Sequence, residues 1–203
     1  MLMSILKYIF SIILPLIIII MEMRGYSLIE LTNLTKARFY LMLGNDKRAK
    51  QSLISLVTKR PECYQAHLLL AQVYEKEGGM RKAIDEYVQS VDLNKKDYDS
   101  YYKVTELLSN LDRKEEASEM LVNLLDKKPD MLQASLLLGD ILIDKEMYKE
   151  AVNVYQDALK YHPTSYELNY DLGMAYTLLN DFQSAKMYYE KAAEFNSLLY
   201  NAK

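Results

Sequence analysis

Tryptophan is absent from this 203-residue chain, cysteine occurs once, at Cys63, and histidine twice, at His67 and His162. A single cysteine excludes an intrachain disulfide and any multi-cysteine metal site. Neither histidine has a second histidine or a cysteine at the spacing of a zinc motif, so no metal centre is expected. His162, beside Pro163, reads as a helix-end residue, and His67 as partly buried packing. A basic excess is lacking too: the net charge of -3 and pI near 5.5 argue against a nucleic-acid partner. The chain contains no phosphate-binding glycine loop, no G-x-S-x-G elbow and no H-E-x-x-H. Neither catalysis, a cofactor nor a small-molecule substrate is therefore expected. Asp140 and Asp144 stand one helical turn apart, a spacing that a solvated helix face also gives.

With only 6 glycines and 4 prolines against 50% hydrophobic and 26% charged residues, the composition is that of an all-helical chain. Its organising feature is a ladder of alanines, Ala49, Ala83, Ala117, Ala151 and Ala185, each 34 residues after the last. Four residues beyond each comes a large side chain: Leu53, Tyr87, Leu121, Tyr155 and Tyr189. Pro61, Pro129 and Pro163 close three of the copies, while Lys95 and Ser197 take that place in the other two. A fixed period in five copies marks a repeat architecture, in which each unit buries its apolar face only by stacking on its neighbours. Small residues, Ala37, Ala71, Thr105, Gly139 and Gly173, precede each ladder alanine by twelve positions and are expected to face it where paired helices approach closely.

These residues resemble the tetratricopeptide repeat (TPR), most closely in Leu172-Gly173, Tyr176, Ala185 and Tyr189, and in Leu138-Gly139, Ala151, Tyr155 and Pro163. Leu70-Ala71, Tyr74, Ala83 and Tyr87 form a third good copy. The family's tryptophan is replaced by Asn33, His67, Tyr101, Ser135 and Asn169, which predicts looser packing there. The resemblance implies an all-α fold, an α-solenoid of about five TPR helix-turn-helix units at 30–63, 64–97, 98–131, 132–165 and 166–199. Residues 200–203 read as the opening of a sixth unit, which implies either a fragment of a longer protein or a last repeat whose apolar face is covered by a partner or a second copy.

Ahead of the repeats, residues 1–24 are read as a transmembrane helix and 25–29 as a short linker and helix cap. Met1 to Met23 carries only Lys7 and Glu22 as charged side chains. Tyr8 to Met21 alone would span roughly 21 Å of the roughly 30 Å hydrocarbon core, and Met1 to Leu6 close the gap if Lys7 snorkels to the interface. A cleaved signal peptide is the competing reading, although no A-x-A site follows the apolar run. Arg24, Lys36 and Arg38, extended by Lys47, Arg48 and Lys50, favour a single-pass protein with its repeats in the cytoplasm.

The family resemblance implies a concave groove lined by the first helix of each unit. It falls here on Gln65, Leu68 and Gln72; Tyr102, Glu106 and Asn110; Gln133, Leu136, Asp140 and Asp144; and Glu167 and Tyr170. Amides, tyrosines and carboxylates suit a neutral or basic segment of a protein or peptide partner. The expected function is a membrane-anchored scaffold or adaptor. Two alternatives stay open: an exported TPR protein with its signal peptide removed, or a regulatory subunit of a membrane enzyme or envelope-assembly complex. The layout is similar to that of the bacterial lipopolysaccharide assembly protein B family, without that family's C-terminal cysteine-metal module.

Overall fold

The computed structural model describes residues 28–201, and the side chains of 33–196. The expected membrane segment, its cap at Ser27 and the last two residues lie outside the described residues. Ten α-helices and no strand occur among the described residues. They form two compact units, divided between Lys95 and Lys96. In the first unit α1 (Leu28–Met42) pairs with α2 (Asp46–Lys59), and α3 (Tyr64–Lys76) with α4 (Met80–Leu93). The second holds α5 (Tyr98–Asn110), α6 (Lys114–Lys127), α7 (Leu132–Asp144), α8 (Tyr148–Leu159), α9 (Tyr166–Leu178) and α10 (Phe182–Asn201). Within each unit every helix packs on the next, and α7 also touches both α5 and α9. The fold class is an all-α solenoid of stacked helix pairs.

The turn inside each pair recurs in one conformation. Gly44 and Gly78 have φ of +69° and +77°, and Asp112, Glu146 and Asn180, at the same register, all have φ of 60°. The next residue's N–H reaches back over the helix end, as in Gly79 N to the Tyr74 carbonyl at 2.8 Å and Met147 N to the Leu142 carbonyl at 2.9 Å. This backward bond with a left-handed residue is the Schellman stop, which satisfies carbonyls the helix leaves unpaired. The following helix is capped by a side chain in two copies: Asn45 accepts from Arg48 N, and Asp181 Oδ1 from Ser184 N, both at 3.1 Å.

All five ladder alanines are buried, and Leu53, Leu121 and Tyr155 are fully enclosed. At two of the small residues twelve positions earlier, Gly139 and Gly173, the nearest neighbour is an aromatic ring. A Cβ on Gly139 would collide with the ring of Tyr155, and one on Gly173 would lie 2.7 Å from the ring of Tyr189. What fits against each glycine is therefore the aromatic sixteen residues on, whose width fixes how small that position must be.

Two expectations change. At three of the five positions where the family has tryptophan the packing is not loose: His67, Ser135 and Asn169 are 7%, 2% and 1% exposed, and each is hydrogen-bonded, while Asn33 and Tyr101 are half-buried. Asn169 Nδ2 donates to the Ser165 carbonyl at 2.7 Å, and His67 bridges Glu86 and the Pro61 carbonyl. Burying polar groups here costs little because they are paired. At the other end, α10 runs unbroken from Phe182 to Asn201, so the residues assigned to a sixth unit continue the second helix of the fifth pair as far as Asn201. Ser197 lacks the ring by which proline interrupts a helix.

Candidate partner-binding site

The first helices of the pairs carry the expected groove residues at matching register. Leu68, Tyr102, Leu136 and Tyr170 are spaced by 34, as are Gln72, Glu106 and Asp140. Gln65, Leu68 and Gln72 lie on α3 in the first unit, with Gln72 exposed. The other nine belong to the second unit, on α5, α7 and α9. α7 touches both α5 and α9, so the three helices that carry those nine are adjacent.

Electrostatics separates the nine into groups already satisfied and groups available. Asp144 accepts from Lys114 Nζ at 2.8 Å, and Glu106 pairs with Lys103 at 2.6 Å. Such exposed pairs contribute about 0–1 kcal/mol and exchange readily. Asp140 Oδ1 accepts a 3.2 Å hydrogen bond from the Tyr155 hydroxyl; burial nevertheless raises its pKa, with the Asp144 charge adding to the effect. Burial, reinforced by Glu106, raises the Tyr102 phenol as well. Tyr170 is 46% exposed, with its ring centroid 5.9 Å from that of Tyr166 and 5.5 Å from that of Tyr189. Asn110 and Gln133 are exposed, and no contact ties them to this cluster.

Sequence reasoning missed Asp171. Half-buried on α9, it has its pKa pushed up to about 6, first by burial and then by the charges of Asp140 and Glu167. It makes no ion pair among the described residues. Its register neighbours Leu69, Lys103 and Leu137 share no chemistry, so periodicity offered nothing to find it by. The available signal was its place one turn after Glu167 on the same helix. Asp140, Glu167 and Asp171 thus form a focus of negative charge bordered by Tyr102 and Tyr170, and no cation among the described residues pairs with it.

No group of His, Cys, Asp and Glu that could hold a metal ion occurs among the described residues. None of the described helices is long and apolar enough to cross a membrane, and residues 1–27, where the anchor was expected, lie outside them.

Helix pairs stacked at a 34-residue period, with a common left-handed turn in each pair and a glycine-against-tyrosine contact in two of them, define a helical-repeat protein. The chain belongs to the tetratricopeptide-repeat family: repeats of that family match residues 24–97, 139–180 and 166–197. A curated relative is the TPR repeat-containing protein YpiA of Bacillus subtilis (strain 168), 22% identical over 152 residues. That match takes in 75% of this chain but 36% of YpiA, so the chain spans little more than a third of the relative's length. Among solved structures, MamA is similar with a TM-score of 0.73 at 19% identity, covering 81% of this chain and 96% of MamA. YrrB, described as a TPR protein with an unusual peptide-binding site, has a TM-score of 0.69 at 16% identity, covering 80% and 84%. At such identities the likeness establishes the fold.

Proposed function

We propose that this protein is an interaction adaptor whose second unit takes a basic segment of a partner protein on the surface of α5, α7 and α9. The observation that carries this reading is the carboxylate focus at Asp140, Glu167 and Asp171, with no cation paired to it among the described residues and an exposed tyrosine, Tyr170, beside it. A half-buried carboxylate whose ionised form is disfavoured first by burial and then by neighbouring like charges gains when a lysine or arginine arrives, because the cation restores what burial removed. YrrB's described peptide-binding site is in keeping with a peptide ligand.

Titration of the full chain with lysine- and arginine-bearing peptides, against acidic peptides of equal length, tests the proposal. Binding of the basic peptides is expected to strengthen as pH rises through about 6, where Asp171 ionises. Replacing both Asp140 and Asp171 by Asn is expected to weaken it about tenfold or more, the scale of losing charge-assisted contacts. Equal binding of acidic and basic peptides would refute this choice of ligand.

We further propose that residues 1–24 hold the adaptor at a membrane as a single-pass anchor with the repeats in the cytoplasm. The long apolar run and the missing small-residue cleavage site support this. The protein is then expected to stay in the pellet after carbonate extraction and to retain its first residues by mass spectrometry. A soluble form starting near Gly25 or Ser27 would instead favour the exported reading.

A further inference from the structure

The first repeat breaks the pattern of the others on its outer side. Leu70, Val104, Leu138 and Leu172 occupy one register position and are all buried, but in the first copy that position is Lys36, exposed. Val73, Leu107, Ile141 and Ala175 occupy another and are buried; its first-copy counterpart is Phe39, 53% exposed. Met42 and Leu43 follow at 76% and 60% exposed. Met42 stands where three later copies have Lys76, Asn110 and Asp144. A preceding helix stacked here would bury the Lys36 ammonium, which is costly without a partner charge. Open water would leave three large apolar side chains exposed together. Neither environment suits the whole face.

Helical geometry shows what does. At 100° per residue, Phe39, Met42 and Leu43 form one stripe, with Lys36 bordering it on one side and Arg38 on the other. Beside the stripe, between α1 and α2, lies a recess of about 320 Å³ whose lining includes Lys36, Tyr40, Arg48, Gln51 and Ser52. It contains two cations, hydroxyls and two amides, and no carboxylate lines it among the described residues. The Arg48 guanidinium is kept 5.8 Å from the Tyr40 ring centroid. Nearby acidic groups are engaged elsewhere: Asp46 pairs with Lys76 at 2.6 Å, and Glu77 with Lys50 at 2.5 Å. The opposite side of α1 is fixed in the core through Leu34 and Ala37, so the outer stripe is presented by a supported helix.

An apolar stripe bordered by cations, next to a cationic polar recess, is the chemistry of a surface that meets both acyl chains and phosphates. We propose that this face of the first repeat lies in the interface of an anionic lipid bilayer. Lipid phosphates meet Lys36 and Arg48 at the recess, and Phe39, Met42 and Leu43 enter the headgroup boundary. This extends the anchored reading, but other residues carry it, and it gives the repeats a fixed seat on the membrane rather than a tether.

The absence of tryptophan supplies the test. Met42→Trp in the full chain introduces a single indole, to be followed with phosphatidylcholine vesicles carrying brominated acyl chains, with and without phosphatidylglycerol. In anionic vesicles the emission is expected to shift to shorter wavelength and to be quenched several-fold more than in neutral ones. The double substitution Lys36→Glu and Arg48→Glu is expected to remove that difference while the helical circular dichroism is unchanged. A chain that floats with vesicles but keeps a water-exposed indole would overturn the inference and leave the anchor standing. Quenching that survives Ile18→Asp, in a chain that no longer floats with neutral vesicles, would support it independently of the anchor. An indole already shielded before lipid is added, as a second copy would cause, or shifted equally by inorganic phosphate, would overturn it.

Discussion

Truncating Tyr155 to alanine is expected to destabilise the second unit by about 3–5 kcal/mol, the range for removing a fully buried aromatic side chain. The ring is completely enclosed, it fills the space that Gly139 leaves free, and its hydroxyl reaches Asp140 at 3.2 Å. Gly139→Ala attacks the same contact from the other side, forcing a methyl group into the ring and costing about 1–3 kcal/mol. Combined, the two substitutions should cost clearly less than their sum, because with the ring gone the added methyl meets open space. Urea unfolding of the full chain followed by circular dichroism reads all three. Tyr189→Ala is the internal control: its ring faces Gly173 in the same way but is partly exposed, so a smaller loss is expected. Equal losses for Tyr155→Ala and Tyr189→Ala would mean that enclosure of the ring is not what the contact contributes.

That contact also shows how far the sequence could be read. The alanine ladder was visible because stacking imposes a steric demand at every period, and a demand that repeats leaves a residue pattern. Spacing alone does not say which way a side chain leans across a helix pair, so the ring of Tyr155 against Gly139 could not be read from it. The turns divide similarly. Gly44 and Gly78 announce a left-handed residue, whereas Asp112, Glu146 and Asn180 adopt the same conformation without glycine, held by the backward hydrogen bonds of the turn. The constant register of Leu68, Tyr102, Leu136 and Tyr170 on the first helices could be written down from the sequence. Asp171 could not, since its raised pKa arises from burial and from Asp140 and Glu167, which belong to tertiary structure.

His67 was legible as a substitution for the family's tryptophan but not as an ion-pair partner, and its chemistry leads to an expected pH dependence. Its Nδ1 lies 2.7 Å from Glu86 Oε2 and its Nε2 2.8 Å from the Pro61 carbonyl oxygen. Both neighbours are acceptors, so only the doubly protonated imidazolium can donate to both at once. The hydrogen bond to Glu86 raises the pKa of His67; burial opposes it, and the bond to Pro61 and the Glu86 charge act in the same sense as the first. A histidine whose folded pKa lies above its unfolded one stabilises the fold fully below about 6.5, and that contribution is lost as pH rises through the folded value. His67→Ala should therefore cost about 1.5–3 kcal/mol near pH 6, the scale of hydrogen bonds to a charged group, and less near pH 9. Asp171, pushed up to about 6 by burial, also makes the folded state less favourable as pH rises, but it does so in both proteins and cancels from their difference. Urea midpoints of the two chains at the two pH values isolate the histidine. A penalty that stays constant across that range would mean His67 is neutral in the folded chain throughout, and that Glu86 stabilises it as a hydrogen-bond acceptor and not as a counter-charge.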